Sequence, residues 1–329
     1  MARIPALLGV VAAGAALTAC GGVGATPPTP PPTGSIGNSQ PFPAAGTKTL
    51  SELRRGLGPG PQMASSVSVL EPGRDRVAFA LFDRTRRQIG DTPAALYVAR
   101  ADGSRVHGPF QASYQPLTVD PRFRSRTVTG DADSAQSIYV ASAPFPAPGR
   151  YRVLGVAQLD QRLVGGSPVT VWVHRHASPP AVGQMAPRVH TPTRASVGGN
   201  LAAIDTRHPP GTMHDLDLAD VLGKRPVMLL FASPGLCRSH TCAPVADVME
   251  QLKAEHGDQA AFVKVEIFNN NRPQDGERPQ VRAYGLPSQP WLFAIDRHGR
   301  VAARIEGAFG PHEAATALRA AVTGERPRK

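Results

Sequence analysis

The spacing of apolar positions along this chain changes character near residue 197. Between residues 62 and 175, short alternating runs recur at 66–70, 77–82, 94–99, 106–110, 137–143, 151–159 and 168–174. Turn signals at Glu71-Pro-Gly, Asp102-Gly, Pro148-Gly and Gly165-Gly separate them. Period-two runs at such spacing, with no helical periodicity, predict an antiparallel β-sandwich. Beyond 197 the pattern mixes. Leu218, Ala219, Val221 and Leu222 predict a short helix, and 227–231 is an unbroken apolar run of the kind found in strands buried on both faces. Val245, Val248, Met249 and Leu252 then fall at i, i+3, i+4 and i+7, one helical stripe. Phe262, Val263, Val265 and Ile267 predict a strand. Two further strands, 291–295 and 301–306, flank the turn Asp296-Arg-His-Gly299, and Ala314, Leu318, Ala321 and Val322 predict a closing helix. The order β-α-β-β-β-α makes this part α/β, behind an all-β part.

Composition adds the ends and the connections. From 20 to 61 the chain is rich in Gly, Pro, Thr and Ser, with a proline run at 27–32, which predicts an extended, disordered tether. A second proline- and histidine-containing stretch, 176–196, predicts a linker. At the start, Arg3 precedes an apolar stretch at 7–17, too short for an ordinary membrane span and suited to an export signal. Leu17-Thr18-Ala19-Cys20 resembles the lipobox of bacterial lipoproteins. That resemblance implies a signal peptide over 1–19, acylation of Cys20, and membrane lipid as a partner. It places the mature chain on the outer face of the cytoplasmic membrane, a compartment where disulfides persist. The formal net charge of +11 suits anionic partners, but Arg84, Arg86, Arg122, Arg124 and Arg126 lie among β-like segments without a nucleic-acid motif. A solvated basic surface, and no nucleic-acid partner, is the expectation. The 62–175 part contains no cysteine and resembles immunoglobulin-like modules; its histidines, such as His107 and His174, form no catalytic constellation.

Three segments carry a second resemblance. Gly223-Lys-Arg-Pro-Val-Met-Leu-Leu-Phe-Ala is similar to the entry strand of the thioredoxin fold, in its redoxin branch of exported reductases. Cys242-Ala-Pro-Val resembles that family's Cys-Gly-Pro-Cys site, with Val245 at the second cysteine, and Tyr284-Gly-Leu-Pro-Ser-Gln-Pro290-Trp resembles its cis-proline segment. The resemblance covers 197–323 and implies a thiol–disulfide oxidoreductase with Cys237, Cys242 and a cis Pro290 at its site, acting on exported protein thiols or disulfides without a cofactor. The chain departs from the pattern in its C-x4-C spacing and in lacking the tryptophan usually placed before the first cysteine. Residues five apart on an α-helix diverge by about 140° and lie roughly 8–9 Å apart, beyond disulfide reach. A bonded pair therefore requires Thr241 as N-cap, Cys242 as the first helical residue and Cys237 in the preceding loop. The helix N-terminus would then lower the Cys242 pKa and make it the nucleophile, with Cys237 resolving.

Other readings of the same residues stay open. C-x4-C occurs in one peroxiredoxin type, but neither cysteine has both the Thr or Ser three residues before it and the Pro seven before it that a peroxidatic cysteine needs. Cys237, His240 and Cys242 offer soft and borderline ligands for copper, as in Sco-type chaperones of this fold, with His298 or His312 as a distant fourth ligand. The plainest alternative is a structural disulfide in a redox-silent binding module.

Overall fold

The structure is a computed structural model that describes residues 41–325. Cys20, the signal segment and most of the expected tether lie outside those residues.

Residues 41–61, which composition assigns to the tether, are folded. Helix α1 (Leu50–Arg55) opens with a reciprocal cap in which the Thr49 side chain accepts from Glu52 N and Glu52 accepts from Thr49 N. Its Leu50 and Leu53 are buried against Ala95, Tyr97, Leu154 and Val156. The composition is loop-like, but the few leucines are spaced to cover a sheet face that would otherwise be wet.

Ten strands follow: β1 (Gly58–Pro59), β2 (Gln62–Ser65), β3 (Gly73–Phe82), β4 (Gln88–Ile89), β5 (Ala94–Arg100), β6 (His107–Pro116), β7 (Ser137–Phe145), β8 (Gly149–Leu159), β9 (Arg162–Gly165) and β10 (Val169–Val173). They pair in the order β1-β9-β8-β5-β6-β7-β3-β2, with β10 added on β8 and β4 on β3. β6 changes partner midway: Phe110–Ala112 face β5, and from Ser113 onward it faces β7. Phe79, Leu81, Tyr139 and Phe145 of one half share a core with Leu96, Val98 and Val153 of the other. The 20-residue connection from β6 to β7 carries helix α2 (Arg126–Thr129).

The C-terminal part comprises α3 (Leu218–Val221), β11 (Val227–Phe231), α4 (Cys242–His256), β12 (Ala261–Val265), α5 (Pro279–Tyr284), β13 (Trp291–Ile295), β14 (Val301–Glu306) and α6 (Pro311–Thr323). Its sheet runs β12-β11-β13-β14, with β11 parallel to β12 and antiparallel to β13, and β13 antiparallel to β14. That arrangement is thioredoxin-like. The unbroken apolar run of β11 is explained by cover on both faces. Met228 and Leu230 pack with α4 and α6, while Val227, Leu229 and Phe231 pack with Leu218, Val281 and Tyr284 of α3 and α5.

The connection between the two parts is hydrogen-bonded to the C-terminal sheet. Residues 176–196 lie along β14: Gly183 N donates to Val301 O at 2.8 Å, Ala186 N donates to Gly299 O at 2.9 Å, and Arg304 holds Pro179 O at 2.9 Å. Arg76 of β3 forks onto Glu313 and also donates to Glu306 O and Ala308 O, at 2.9 and 2.7 Å. Glu306 in turn accepts from Ser68 N and Val69 N. One apolar cluster runs from the β-rich part into α4 and α6. No helix of the described residues is long and apolar enough to cross a membrane.

Candidate functional site

β11 delivers the chain into Ala232-Ser233-Pro234, and two hydrogen bonds set its exit. Ser233 N donates to Gln289 Oε1 at 3.0 Å, and Ser233 Oγ accepts from Ile267 N at 2.9 Å. A single 3₁₀ turn over Pro234–Leu236 then leads to Cys237. His240 N closes a turn on Cys237 O at 3.1 Å, with His240 in the left-handed region at φ +56°. α4 begins at Cys242 with Thr241 at the cap position, and Val245 N donates to Thr241 O at 3.1 Å, the first helical bond. Pro244 is the third helical residue, where a missing N–H leaves no helical bond unmade. The Thr241 side chain does not cap; its hydroxyl pairs with Ser239 Oγ at 2.8 Å, and that oxygen lies 3.3 Å from Cys237 Sγ.

Cys237 and Cys242 form a disulfide with their Cα atoms 5.9 Å apart, in the usual range. Pro290 follows a cis Gln289–Pro290 bond, and Gln289 Oε1 is 3.5 Å from Cys242 Sγ. The structure thus gathers Cys237, Cys242 and the Gln289–Pro290 segment. Trp291 belongs to the core, 1 % exposed and stacked on Phe293.

Exposure divides the two cysteines. Cys242 is 0 % exposed, sealed beneath the loop that precedes it, while Cys237 is partly exposed. The place of Cys242 at the helix start favours a thiolate, and in the disulfide-bonded form its side chain is out of solvent. The β-rich part supplies one wall. His240 Nδ1 pairs with Asp131 Oδ2 at 2.8 Å, and Ala135 N donates to His240 O at 3.0 Å, both from the β6–β7 connection. His240 is thus turned to a carboxylate rather than gathered with the two cysteines as a ligand set. Among the described residues no group of three or more His, Cys, Asp and Glu side chains is placed to hold a metal ion.

A buried ionic cluster beneath the loop is absent from the sequence reading. Lys264 Nζ, fully buried, donates to Asp205 Oδ1 at 2.8 Å and Glu266 Oε1 at 2.6 Å; His214 Nε2 meets Asp205 Oδ2 at 2.9 Å. Glu266 accepts from Thr206 N, and Thr206 Oγ1 accepts from Gly235 N at 2.9 Å, two residues before Cys237. Burial pushes the Asp205 carboxyl up, but the Lys264 ammonium and the His214 hydrogen bond more than offset it and hold it well below the usual range. Burial pulls Lys264 down, and the two carboxylates together raise it. A second buried pair, Arg207 Nε to Asp247 Oδ1 at 2.8 Å, sits on α4, where burial raises the Asp247 carboxyl despite its donors. The signal in the sequence was the pair Lys264 and Glu266, which alternation along β12 assigns to a polar face. That face is instead covered by residues 205–213, with Lys264 N donating to Met213 O.

No known family profile matches the chain, and no curated protein matches it. Solved structures resemble it remotely. A structure assigned as the thiol:disulfide interchange protein DsbE of Chlorobium tepidum is 20 % identical over 44 % of this chain and 99 % of its own, with a TM-score of 0.30. A thioredoxin-family thiol:disulfide interchange protein of Chlorobium tepidum TLS is 17 % identical over 43 % of this chain and 98 % of its own, with a TM-score of 0.29. The Lin-41 filamin domain is 14 % identical over 36 % of this chain and 99 % of its own, with a TM-score of 0.19. Likeness at this level says nothing about activity.

Proposed function

We propose that this chain is a thiol–disulfide oxidoreductase of the cell envelope, tethered through an acylated Cys20, with Cys237 entering and Cys242 resolving. The observation that carries the reading is the unequal pair: a disulfide at the start of α4 in a thioredoxin-like core, with one partly exposed cysteine and one fully buried. The dithiol form begins the cycle. The Cys237 thiolate attacks one sulfur of a client disulfide, the client S–S bond breaks, and one client thiolate leaves with a mixed disulfide formed. Cys242, having given up its proton, attacks Cys237 Sγ, re-forming the internal disulfide and releasing the second client thiolate. Two electrons pass from the protein to the client, and run in reverse the same steps oxidise a client dithiol. Gln289 Oε1 is the acceptor available to the Cys242 thiol when the disulfide is open. In this reading the β-rich part is an immunoglobulin-like sandwich whose β6–β7 connection frames the cysteine loop through Asp131 and Ala135.

The test is the midpoint potential of the couple, together with trapping. A potential between about −270 and −120 mV belongs to exchange catalysts, and one below about −300 mV belongs to a structural bond and overturns the proposal. Cys242→Ser should accumulate a mixed disulfide on Cys237, while Cys237→Ser should not react with clients.

A further inference from the structure

The β-rich part holds a cavity of about 400 Å³, none of whose lining residues belongs to the cysteine-bearing part. It lies where α1 meets the outer face of the sheet, and Arg54, Arg55 and Arg152 line it with Ser51, Asp102 and Leu57. Three arginines and one carboxylate line the cavity, and Asp102 Oδ1 accepts from Ser104 N at 2.9 Å. Glu52, the nearest other acid, accepts from Thr49 N at 2.8 Å and reaches Arg55 only at 3.9 Å.

Arg152 is the telling residue. It sits on β8 between Ala99 of β5 and Thr170 of β10, so its backbone is fixed on both sides. On the same face follow Leu154 and Val156, both buried under the α1 segment. An arginine at the margin of an apolar face is anomalous, and its Nε is buried without any hydrogen-bond partner. No hydrogen bond or ion pair engages its terminal nitrogens among the described residues, and a planar fork left unpaired at a cavity wall, joined by two exposed forks, suits the oxygens of a phosphate group. The cavity exceeds one phosphate, leaving room for the group esterified to it. One residue pair along the same face, Trp172 is 56 % exposed with the Arg150 guanidinium 5.6 Å from its ring centroid.

We propose that this cavity binds a phosphate ester, either the headgroup of an anionic lipid or a free small-molecule ester. The two sources share the chemistry and separate in the test. Trp172 provides the readout, because the chain has two tryptophans and Trp291 is 1 % exposed. The full chain carrying Cys20→Ala, which removes any acyl anchor, is titrated with glycerol 3-phosphate. In parallel it is titrated with vesicles of phosphatidylcholine, with and without phosphatidylglycerol. The expected result is a saturable change in Trp172 emission, weakened about tenfold or more by Arg152→Gln, since one charge-assisted bond is lost. Arg54→Gln, at an exposed position that folding does not need, weakens it as well. Arg84→Gln/Arg86→Gln, on the β3–β4 turn away from the cavity, leaves it unchanged. A response to phosphatidylglycerol vesicles alone identifies a lipid headgroup, and a response to the free ester identifies a soluble ligand. The proposal is overturned by no saturable response to either probe, or by an equal loss in the Arg84/Arg86 variant, which marks general charge attraction.

Discussion

Lys264→Met isolates the buried ionic cluster. In the native protein the ammonium bridges Asp205 and Glu266 at 2.8 and 2.6 Å, with all three side chains out of solvent. Methionine fills similar space and leaves two buried carboxylates facing each other. Removing one partner of a buried pair costs about 3–5 kcal/mol. The lower end applies here, because Asp205 keeps donors from Arg207 N and Gly211 N at 2.8 Å and from His214, and Glu266 keeps Thr206 N. A loss of about 3 kcal/mol lowers a urea midpoint by roughly 1 M at a slope near 3 kcal/mol/M. The pH dependence supplies a second constraint. Native Asp205 titrates below its unfolded value of 3.8, so its stabilisation is complete above that pH and is lost only as pH falls further. In the variant, burial acts without Lys264 and raises Asp205, so the carboxyl takes up a proton on folding as the medium turns acid. The gap between variant and native protein should therefore narrow from about pH 7 to about pH 4.5. Urea unfolding at both pH values measures it. A loss below about 1 kcal/mol, or one equal at the two pH values, would refute the argument.

Other expectations follow from packing and backbone geometry. Phe293→Ala should cost about 3–5 kcal/mol in denaturant unfolding, because Phe293 is fully buried among Phe231, Tyr284 and Trp291. Gly307→Ala should destabilise by more than about 2 kcal/mol, since φ is +75° there and a Cβ would overlap the Ser66 carbonyl; a thermal melt unchanged from the native protein would contradict this. Arg76→Ala removes the fork on Glu313 and the donors to Glu306 O and Ala308 O, and should cost about 1.5–3 kcal/mol. If the two parts depend on that joint, limited proteolysis should begin cutting near residues 66–72 in this variant and not in the native chain.

What the sequence determined by itself is local. The unbroken apolar run named β11, the i, i+3, i+4, i+7 stripe named α4, and the reach of a disulfide required α4 to start at Cys242, which is where it starts. The Asp296–Gly299 turn is equally local: Asp296 Oδ1 accepts from His298 N and Arg300 N, and Gly299 takes φ +81°. Tertiary structure decided which faces are covered, because cover comes from residues far away in the chain. Lys264 and Glu266 lie on the strand that the apolar residues 262–267 predict, and residues 205–213 bury them. Loop-like composition made 41–61 and 176–196 spacers, and apolar contacts seated the first on a sheet face while backbone hydrogen bonds seated the second along a sheet edge. The same holds for the chemistry. Both cysteines were legible as a pair, but their exposure depends on a loop held from the β-rich part by Asp131 and Ala135, more than a hundred residues upstream. A helix N-terminus sets how readily a thiol ionises, and only the surrounding fold sets whether a client can reach it.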